Sequence, residues 1–335
     1  MSEQFGRKCR LTVQIAPEVE AVDETTSPGV RLALDLSDMR IVFRVNQATT
    51  DNAQFAEIYV YNLSEDTMNT LEGEAVVTAG QKVILEAGYG DDMGIIFKGD
   101  VFQVRRGRES QTDTWFCMLA QAGNKALSTA VVKQEFAAGT TPVQQRDFLK
   151  EQFKKCGVEA GYMCDVSKDQ GLPRSKSVMM ALMDFLRQFC KDNNTEAFIE
   201  DDTLSMIPRG GNNGEPAFVL NTRTGLVGMP QLTTDGLNVT CLLNPRLKHG
   251  GQIEVDQNSI QTQSYDVTYG GQYIDQTQKS LQTAGGKQGR YNIVSVSHAG
   301  DTRGNDWYTQ LIAVGVGAQV QISGTSIKAV ENGSE

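Results

Sequence analysis

Residues Tyr291–Thr309 read YNIVSVSHAGDTRGNDWYT. Tyr291, Ile293, Val294 and Val296 form a β-branched and aromatic stretch of the kind that favours a pleated strand. The polar run that follows carries His298, Gly300, Asp301, Arg303 and Gly304, and Trp307 opens the next apolar stretch. The pattern predicts a hairpin with strands over 291–296 and 307–314. The segment holds one of two histidines and one of two tryptophans in the chain, so it is also the first place to look for chemistry. A histidine and an aspartate can act as base and orienter, and an arginine can clamp an anion. The set does not close into a catalytic site: no GxSxG nucleophile or catalytic cysteine accompanies it, and His249, the other histidine, lies in a separate turn. Gly300 and Gly304 can adopt positive φ, and Asp301 can bond its own backbone. A structural or interface turn is the expected role, with ligand contact and catalysis as the alternatives.

The regions on either side of a helical middle share this habit of short strands and Gly/Asp turns. In the N-terminal part, Met39–Val45, Phe55–Tyr61, Lys82–Ala87, Ile95–Val104 and Trp115–Ala120 read as strands. Ser64 is a candidate N-cap for the turn that follows, and Gly88-Tyr89-Gly90-Asp91-Asp92 is a tight turn. Arg105, Arg106 and Arg108 read as an exposed cationic turn. In the middle, Thr141 caps a helix with Pro142 at its first position. Phe148, Leu149, Phe153 and Cys156 line one face of it, and Gly157 ends it. Val178, Leu182, Phe185, Leu186 and Phe189 recur at helical spacing and predict a second helix over 178–191. FIEDDTLSMI (198–207) predicts a hairpin around Asp201-Asp202. Beyond the polar loop 208–216 the chain returns to β, with Asn238–Leu243 a strand, a turn at Asn244-Pro245, a second turn at Lys248-His249-Gly250-Gly251, and Gln252–Val255 the next strand. Residues 256–289 form a long Gln-, Ser-, Thr-, Tyr- and Gly-rich segment, either a contact loop ordered by partners or plain disorder.

The expected fold is therefore mainly β with an α+β insertion: two similar β-barrel domains flanking a central helix-containing domain. The boundaries are 1–125, 126–215 and 216–325, with the polar loop 256–289 inside the last and a flexible tail over 326–335.

Composition narrows the function. The formal net charge of −10 argues against a general nucleic-acid binder, which needs a cationic surface. Thirty-three glycines against eight prolines suit a turn-rich β protein. There is no apolar run of the roughly 18 residues that suggests a membrane helix, and the N-terminus lacks the apolar core of a signal peptide. The expectation is a chain made in the cytoplasm. Its six cysteines, Cys9, Cys117, Cys156, Cys164, Cys190 and Cys241, form no close pair and read as buried free thiols. GYGDD lacks the strand–helix context and the Lys-Ser/Thr of a phosphate loop. The adjacent pairs Asp91-Asp92 and Asp201-Asp202 do not select a glycosidase dyad. No cofactor or metal is implied.

Three blocks carry a family resemblance: AEIYVYNLS (56–64) with VILEAGYGDDMGIIFKGDVFQV (83–104), VTCLLNPRLKHGGQIEV (239–255), and YNIVSVSHAGDTRGNDWYT (291–309). In these blocks the chain resembles the baseplate hub proteins of contractile-tailed bacteriophages, especially those of Mu-like and related myophages. The resemblance implies a non-enzymatic virion protein of the tail baseplate, assembled in the host cytoplasm. It implies a homotrimer whose six barrels join a sixfold tail tube to a threefold central spike. Partners would be the spike, the tail tube protein or tube initiator, and other baseplate proteins, with DNA passing through the ring during ejection. Tyr89, Asp91, Arg105, Arg106, Pro245, His249, His298, Asp301, Arg303 and Trp307 then become structural or interface positions, with no catalytic residue. The segment 256–289 has no detailed place in that pattern. The alternative is a peptidoglycan-degrading tail-associated enzyme.

Overall fold

The computed structural model describes residues 6–14, 33–48, 53–72, 81–90, 92–167, 171–233, 236–256, 261–262 and 289–316. Asp91, most of the 256–289 segment and the 326–335 tail lie outside the described residues. The N-terminal part forms β1 (Arg7–Gln14), β2 (Ala33–Asp35), β3 (Ile41–Ala48), β4 (Phe55–Tyr61), α1 (Glu65–Glu72), β5 (Gln81–Tyr89), β6 (Asp92–Arg108) and β7 (Thr114–Gln121). The middle forms α2 (Asn124–Ser128), β8 (Val131–Phe136), α3 (Pro142–Lys155), β9 (Glu159–Met163), β10 (Lys176–Ala181), α4 (Leu182–Asp192), β11 (Thr195–Glu200) and β12 (Thr203–Pro208). The last part forms β13 (Phe218–Leu220), β14 (Leu226–Thr233), β15 (Gly236–Leu242), β16 (Gln252–Val255), β17 (Gln261–Thr262), β18 (Arg290–Asp301) and β19 (Trp307–Gly315).

Mainly β with a central helical region is what the chain adopts. The two closed barrels are not. All strands of the first and last parts belong to one sheet in the order β17-β14-β15-β19-β18-β3-β4-β7-β6-β5-β1-β2, with β16 on β18 and β13 on β16. The reason lies in β3. To close the first lobe on itself, β1 or β2 would have to pair with its free edge. That edge is taken by β18, from Ser295↔Ala48 to Asp301↔Val42, while β4 holds the other. β18 is long enough to serve two neighbours along one side: Arg290–Asn292 pair with β16, and Ser295–Asp301 pair with β3. A bulge between Ile293 and Ser295 separates the two ladders on its β19 side. The hairpin expected over 291–314 is therefore longer, and it is the seam between the lobes.

Local elements follow familiar causes. β4 buries Ala56, Ile58 and Val60 on one face, as its alternation requires. The Ser64 hydroxyl accepts the Thr67 N–H at 3.2 Å, capping α1. Thr141 and Gln144 form a reciprocal capping box at α3, with Pro142 in its first turn. Gly157, at φ 83°, follows the helix end. The β11–β12 turn has Asp201 at φ 52° and Asp202 at φ 57°, the paired positive angles of a tight hairpin turn. Two local expectations are corrected. Val178 sits in β10, paired with Gln134 of β8, so the second helix starts at Leu182. Arg105, Arg106 and Arg108 continue β6 as a strand against β7 rather than turning.

Three buried clusters hold the molecule together. The first fills the β1–β7 lobe and also takes in Leu243 and Trp307 from the last part. The second packs α2, α3 and α4 on the small sheets of the middle. The third lies under β13–β16, β18 and β19.

Candidate functional site

The opening motif folds into a rigid joint rather than a reactive loop. His298 and Gly300 lie within β18, and only 302–306 turn. His298 is buried, and its Nδ1 is 2.9 Å from Thr309 Oγ1 on β19. The Thr309 oxygen already accepts the Asn244 N–H at 3.1 Å, so its own proton is free to donate to Nδ1. Burial, with Lys248 adding to it, pushes the imidazole down to about 3. It stays neutral, and Thr309, whose hydroxyl it touches, is itself fully buried.

Asp301 is the turn's electrostatic anchor. Burial opposes its charge, but Arg40 and the Arg303 N–H hold its carboxyl below the ordinary range. Arg40 donates at 2.7 Å and 3.3 Å to the two carboxylate oxygens, and the Arg303 N–H donates at 2.9 Å. The Arg40 guanidinium also lies 4.5 Å from the Tyr61 ring centre. Arg303 itself reaches the Asp38 carbonyl at 3.5 Å. Trp307 is fully buried between the lobes, edge-on to Phe43 at 5.5 Å.

The remaining predicted positions scatter. Tyr89 ends β5, buried opposite Arg7. Arg106 donates to Asn69 at 3.2 Å and pairs with Glu72 at 3.4 Å on α1, while Arg105 donates to Gln103 at 3.3 Å. Pro245 stands over Gly94 of β6, where a Cβ would approach its ring to 2.8 Å. His249 is buried edge-on against Phe198 of β11 at 4.3 Å. Its pKa is pushed down to about 4 by burial, with a backbone hydrogen bond to Val294 working against the shift.

A second joint was not legible in the sequence. The turn of the β11–β12 hairpin inserts both aspartates between the lobes. Asp202 Oδ2 lies 2.5 Å from Lys82 Nζ on β5, and Asp202 Oδ1 accepts the Gly123 N–H at 2.9 Å. Lys82 also pairs with Asp100 of β6 at 2.9 Å. Asp201 pairs at 2.5 Å with Lys248 of the last part. Gln54, also buried, completes the joint: its amide donates to the Ile96 carbonyl at 2.8 Å and accepts the Asp201 N–H at 3.2 Å. Lysines fill the positions between the carboxylates. Among the described residues no group of three or more His, Cys, Asp or Glu is arranged to hold a metal. All six cysteines are free thiols, with Cys9 and Cys156 only half-buried. Burial pushes the Cys9 and Cys241 thiols up to about 12, which suppresses thiolate chemistry. No helix among the described residues is long and apolar enough to cross a membrane.

The joint carries opposing pH responses. His249 and His298 stay neutral in the fold, so below pH ~6.5 the unfolded chain takes up protons that the fold refuses. Stability falls as pH drops from ~6.5 toward 4. Glu200 behaves oppositely. Burial, with Asp201 adding and Lys248 opposing, lifts it to about 8, so the fold keeps a proton the unfolded chain loses and stability falls as pH rises from ~4.5 to 8. His298→Gln should flatten the acid flank of a melting-temperature-against-pH curve, by up to about 1.4 kcal/mol per pH unit. Glu200→Gln should flatten the alkaline flank. Parallel curves for wild type and variants would contradict this account.

What such a chain is for is decided by its relatives. Residues 25–261, well over half of it, match the family described as baseplate hub gp41. The chain belongs to this baseplate hub family. It is a structural protein of the phage tail baseplate and thus a virion component. The enzyme alternative falls with that membership, because the family is structural. No curated protein has a matching sequence. Solved structures share the fold at low identity. The 43 kDa tail protein of prophage MuSo2 from Shewanella oneidensis is 8% identical with a TM-score of 0.54, over 95% of this chain and 100% of that one. A tail protein from Neisseria meningitidis MC58 is 10% identical with a TM-score of 0.55, over 94% and 98%. An E. coli component of the type VI secretion system, described as similar to the T4 tail proteins gp27 and gp5, is 12% identical with a TM-score of 0.50, over 83% and 73%.

Proposed function

We propose that three copies of this hub form a ring that joins a sixfold tail tube to a threefold central spike and leaves a lumen for DNA. The carrying observation is the continuous sheet with two lobes, one on each side of the β3–β18 seam, each with its own core. Two β lobes per chain give six per trimer, which matches the symmetry mismatch such a hub has to bridge. The E. coli relative's described similarity to gp27 and gp5 supports spike and tube contacts as the partner class. The domain limits near residues 125 and 215 belong to this reading. Three separate cores favour them, although Leu243 and Trp307 enter the first core from across the later limit.

Tyr89, Pro245, His249, His298, Asp301 and Trp307 serve here as internal joints, which present outer loops to neighbours at fixed angles, and the exposed Arg105, Arg106 and Arg303 lie on the outer surface. Native mass spectrometry of the full chain, with and without the co-expressed spike, tests the ring. A trimer that gains one spike trimer is the expected result. A monomer that ignores both spike and tube protein would refute it.

A further inference from the structure

Lys82 of β5 stands directly opposite Asp100 of β6, and the β11–β12 turn brings Asp202 to the same ammonium from the central module. Lys82 Nζ is 2.5 Å from Asp202 Oδ2 and 2.9 Å from Asp100 Oδ1. Asp202 is fixed from two further directions. Its Oδ1 accepts the Gly123 N–H at 2.9 Å, and its main-chain carbonyl accepts the Glu159 N–H at 2.8 Å. Gly123 is walled in by the buried side chains of Ile199 and Val158, which a Cβ there would approach to 3.0 Å and 3.2 Å. Asp100 Oδ1 is buried beside the amine and makes no hydrogen bond.

An amine, a carboxyl carbon and a second carboxyl group beside them are the nucleophile, electrophile and proton carrier of amide formation. In water the ammonium–carboxylate form is too stable to react. Burial narrows that gap, because it penalises both charges. It raises the Asp202 pKa, with Asp100 adding to the shift and Lys82 and the Gly123 N–H opposing it. The neighbouring pair of Lys248 and Asp201 lacks these conditions. Lys248 is 42% exposed and Asp201 13%, against 20% for Lys82 and 2% for Asp202. Asp201 Oδ1 also has no donor on it, so that pair stays ionic.

We propose that Lys82 and Asp202 condense to a side-chain amide, an internal cross-link between the first lobe and the central module. Nζ gives one proton to Asp202 Oδ2, and the neutral amine attacks Cγ. Negative charge develops on Oδ1, where the Gly123 N–H already donates. Asp100 takes a second proton from the nitrogen and delivers it to the departing Oδ2 hydroxyl. The Nζ–Cγ bond forms, the Cγ–Oδ2 bond breaks and one water leaves, so the step needs no oxidant, reductant or cofactor. The ion pair is the precursor of the bond, and unreacted chains keep the contacts described above. The cross-link survives unfolding, as an ion pair does not. It stands on the geometry of this joint and does not depend on the ring reading.

Electrospray mass spectrometry of the full chain, kept folded at neutral pH and then unfolded in acid, tests it. A species lighter by one water, about 18 Da, is expected. Tandem spectra of a digest should join the peptides that carry Lys82 and Asp202. Lys82→Arg keeps the positive charge and should hold the full mass. Asp100→Asn keeps the shape but removes the proton carrier, so the lighter species should accumulate at least tenfold more slowly. The wild-type mass decides without any variant: a chain of full mass after prolonged folded incubation overturns the proposal. A water loss that persists in Lys82→Arg overturns it too. So does a loss that hydroxylamine reverses, which marks a cyclic imide, or a cross-link from Lys82 to Asp100 or from Lys248 to Asp201 in its place.

Discussion

Replacing Asp202 by alanine is expected to destabilise the protein by about 3–5 kcal/mol, the range for breaking one side of a buried ion pair. The Asp202 side chain is 2% exposed and Asp100 is 1% exposed, with Lys82 held between them. Removing Asp202 leaves Lys82 with half its compensation and strands the Gly123 N–H. Alanine also fits poorly at φ 57°, whereas asparagine tolerates that angle. Asp202→Asn should therefore cost less, about 1–3 kcal/mol, because it keeps the acceptor for Gly123 and loses only the charge. Lys82→Met should be the pH-sensitive variant. Burial already raises the Asp202 pKa against the pull of Lys82. Without the lysine the buried Asp202 carboxyl loses the pull that opposes its raised pKa, so stability falls further as pH rises. Because this joint ties the central hairpin to β5 and to Lys248, the loss should also separate the unfolding of the parts. Calorimetry should show two transitions in Asp202→Ala where wild type shows one. A single transition within about 1 °C of wild type, less than ~1 kcal/mol for a chain of this length, would sink the claim that this contact couples the modules.

How much of this was readable depends on the range of the interaction. Short-range causes were plain in the residues: the Thr141 cap with its proline, the alternation of Phe55–Tyr61, the hairpin at Asp201-Asp202. Each is written within a few neighbours. Failures came where a distant partner decides. Val178 matches a helical stripe with Leu182, yet β8 recruits it into a strand. Arg105 and Arg106 look like a turn until β7 extends beside them. Closed barrels were expected because each lobe has strands enough to curl. Nothing local reveals that β18, some two hundred and fifty residues along, takes the edge that closure needs. The same holds for Lys82, Asp100 and Asp202. In the sequence they mark only the start of one strand, a position in another and a hairpin turn, and only the tertiary fold brings them together. The baseplate family was legible from the blocks of sequence, because a family pattern stores such long-range pairing without explaining it.

The second large effect is expected at the seam itself. Gly300 of β18 is in register with Phe43 of β3 on one side and Trp307 of β19 on the other. A Cβ there would come within 2.5 Å of the Phe43 ring and 2.8 Å of the Trp307 ring. The absent side chain is what lets two large aromatics close over one strand. Gly300→Val should overpack the joint by about 1–3 kcal/mol or more, since both rings are walled in. Trp307→Ala makes the opposite error, emptying a fully buried site at a cost of about 3–5 kcal/mol. The pair can be tested for coupling. In a Trp307→Phe background the smaller ring gives Gly300→Ala room, so the double variant should be more stable than the sum of the singles by at least ~0.5 kcal/mol. Urea midpoints report the energies, and limited proteolysis between Asp301 and Trp307 reports whether the hairpin has lifted from β3. Strict additivity, with no new cleavage in any variant, would mean that the two lobes do not depend on this contact. The continuous sheet would then need another source of rigidity.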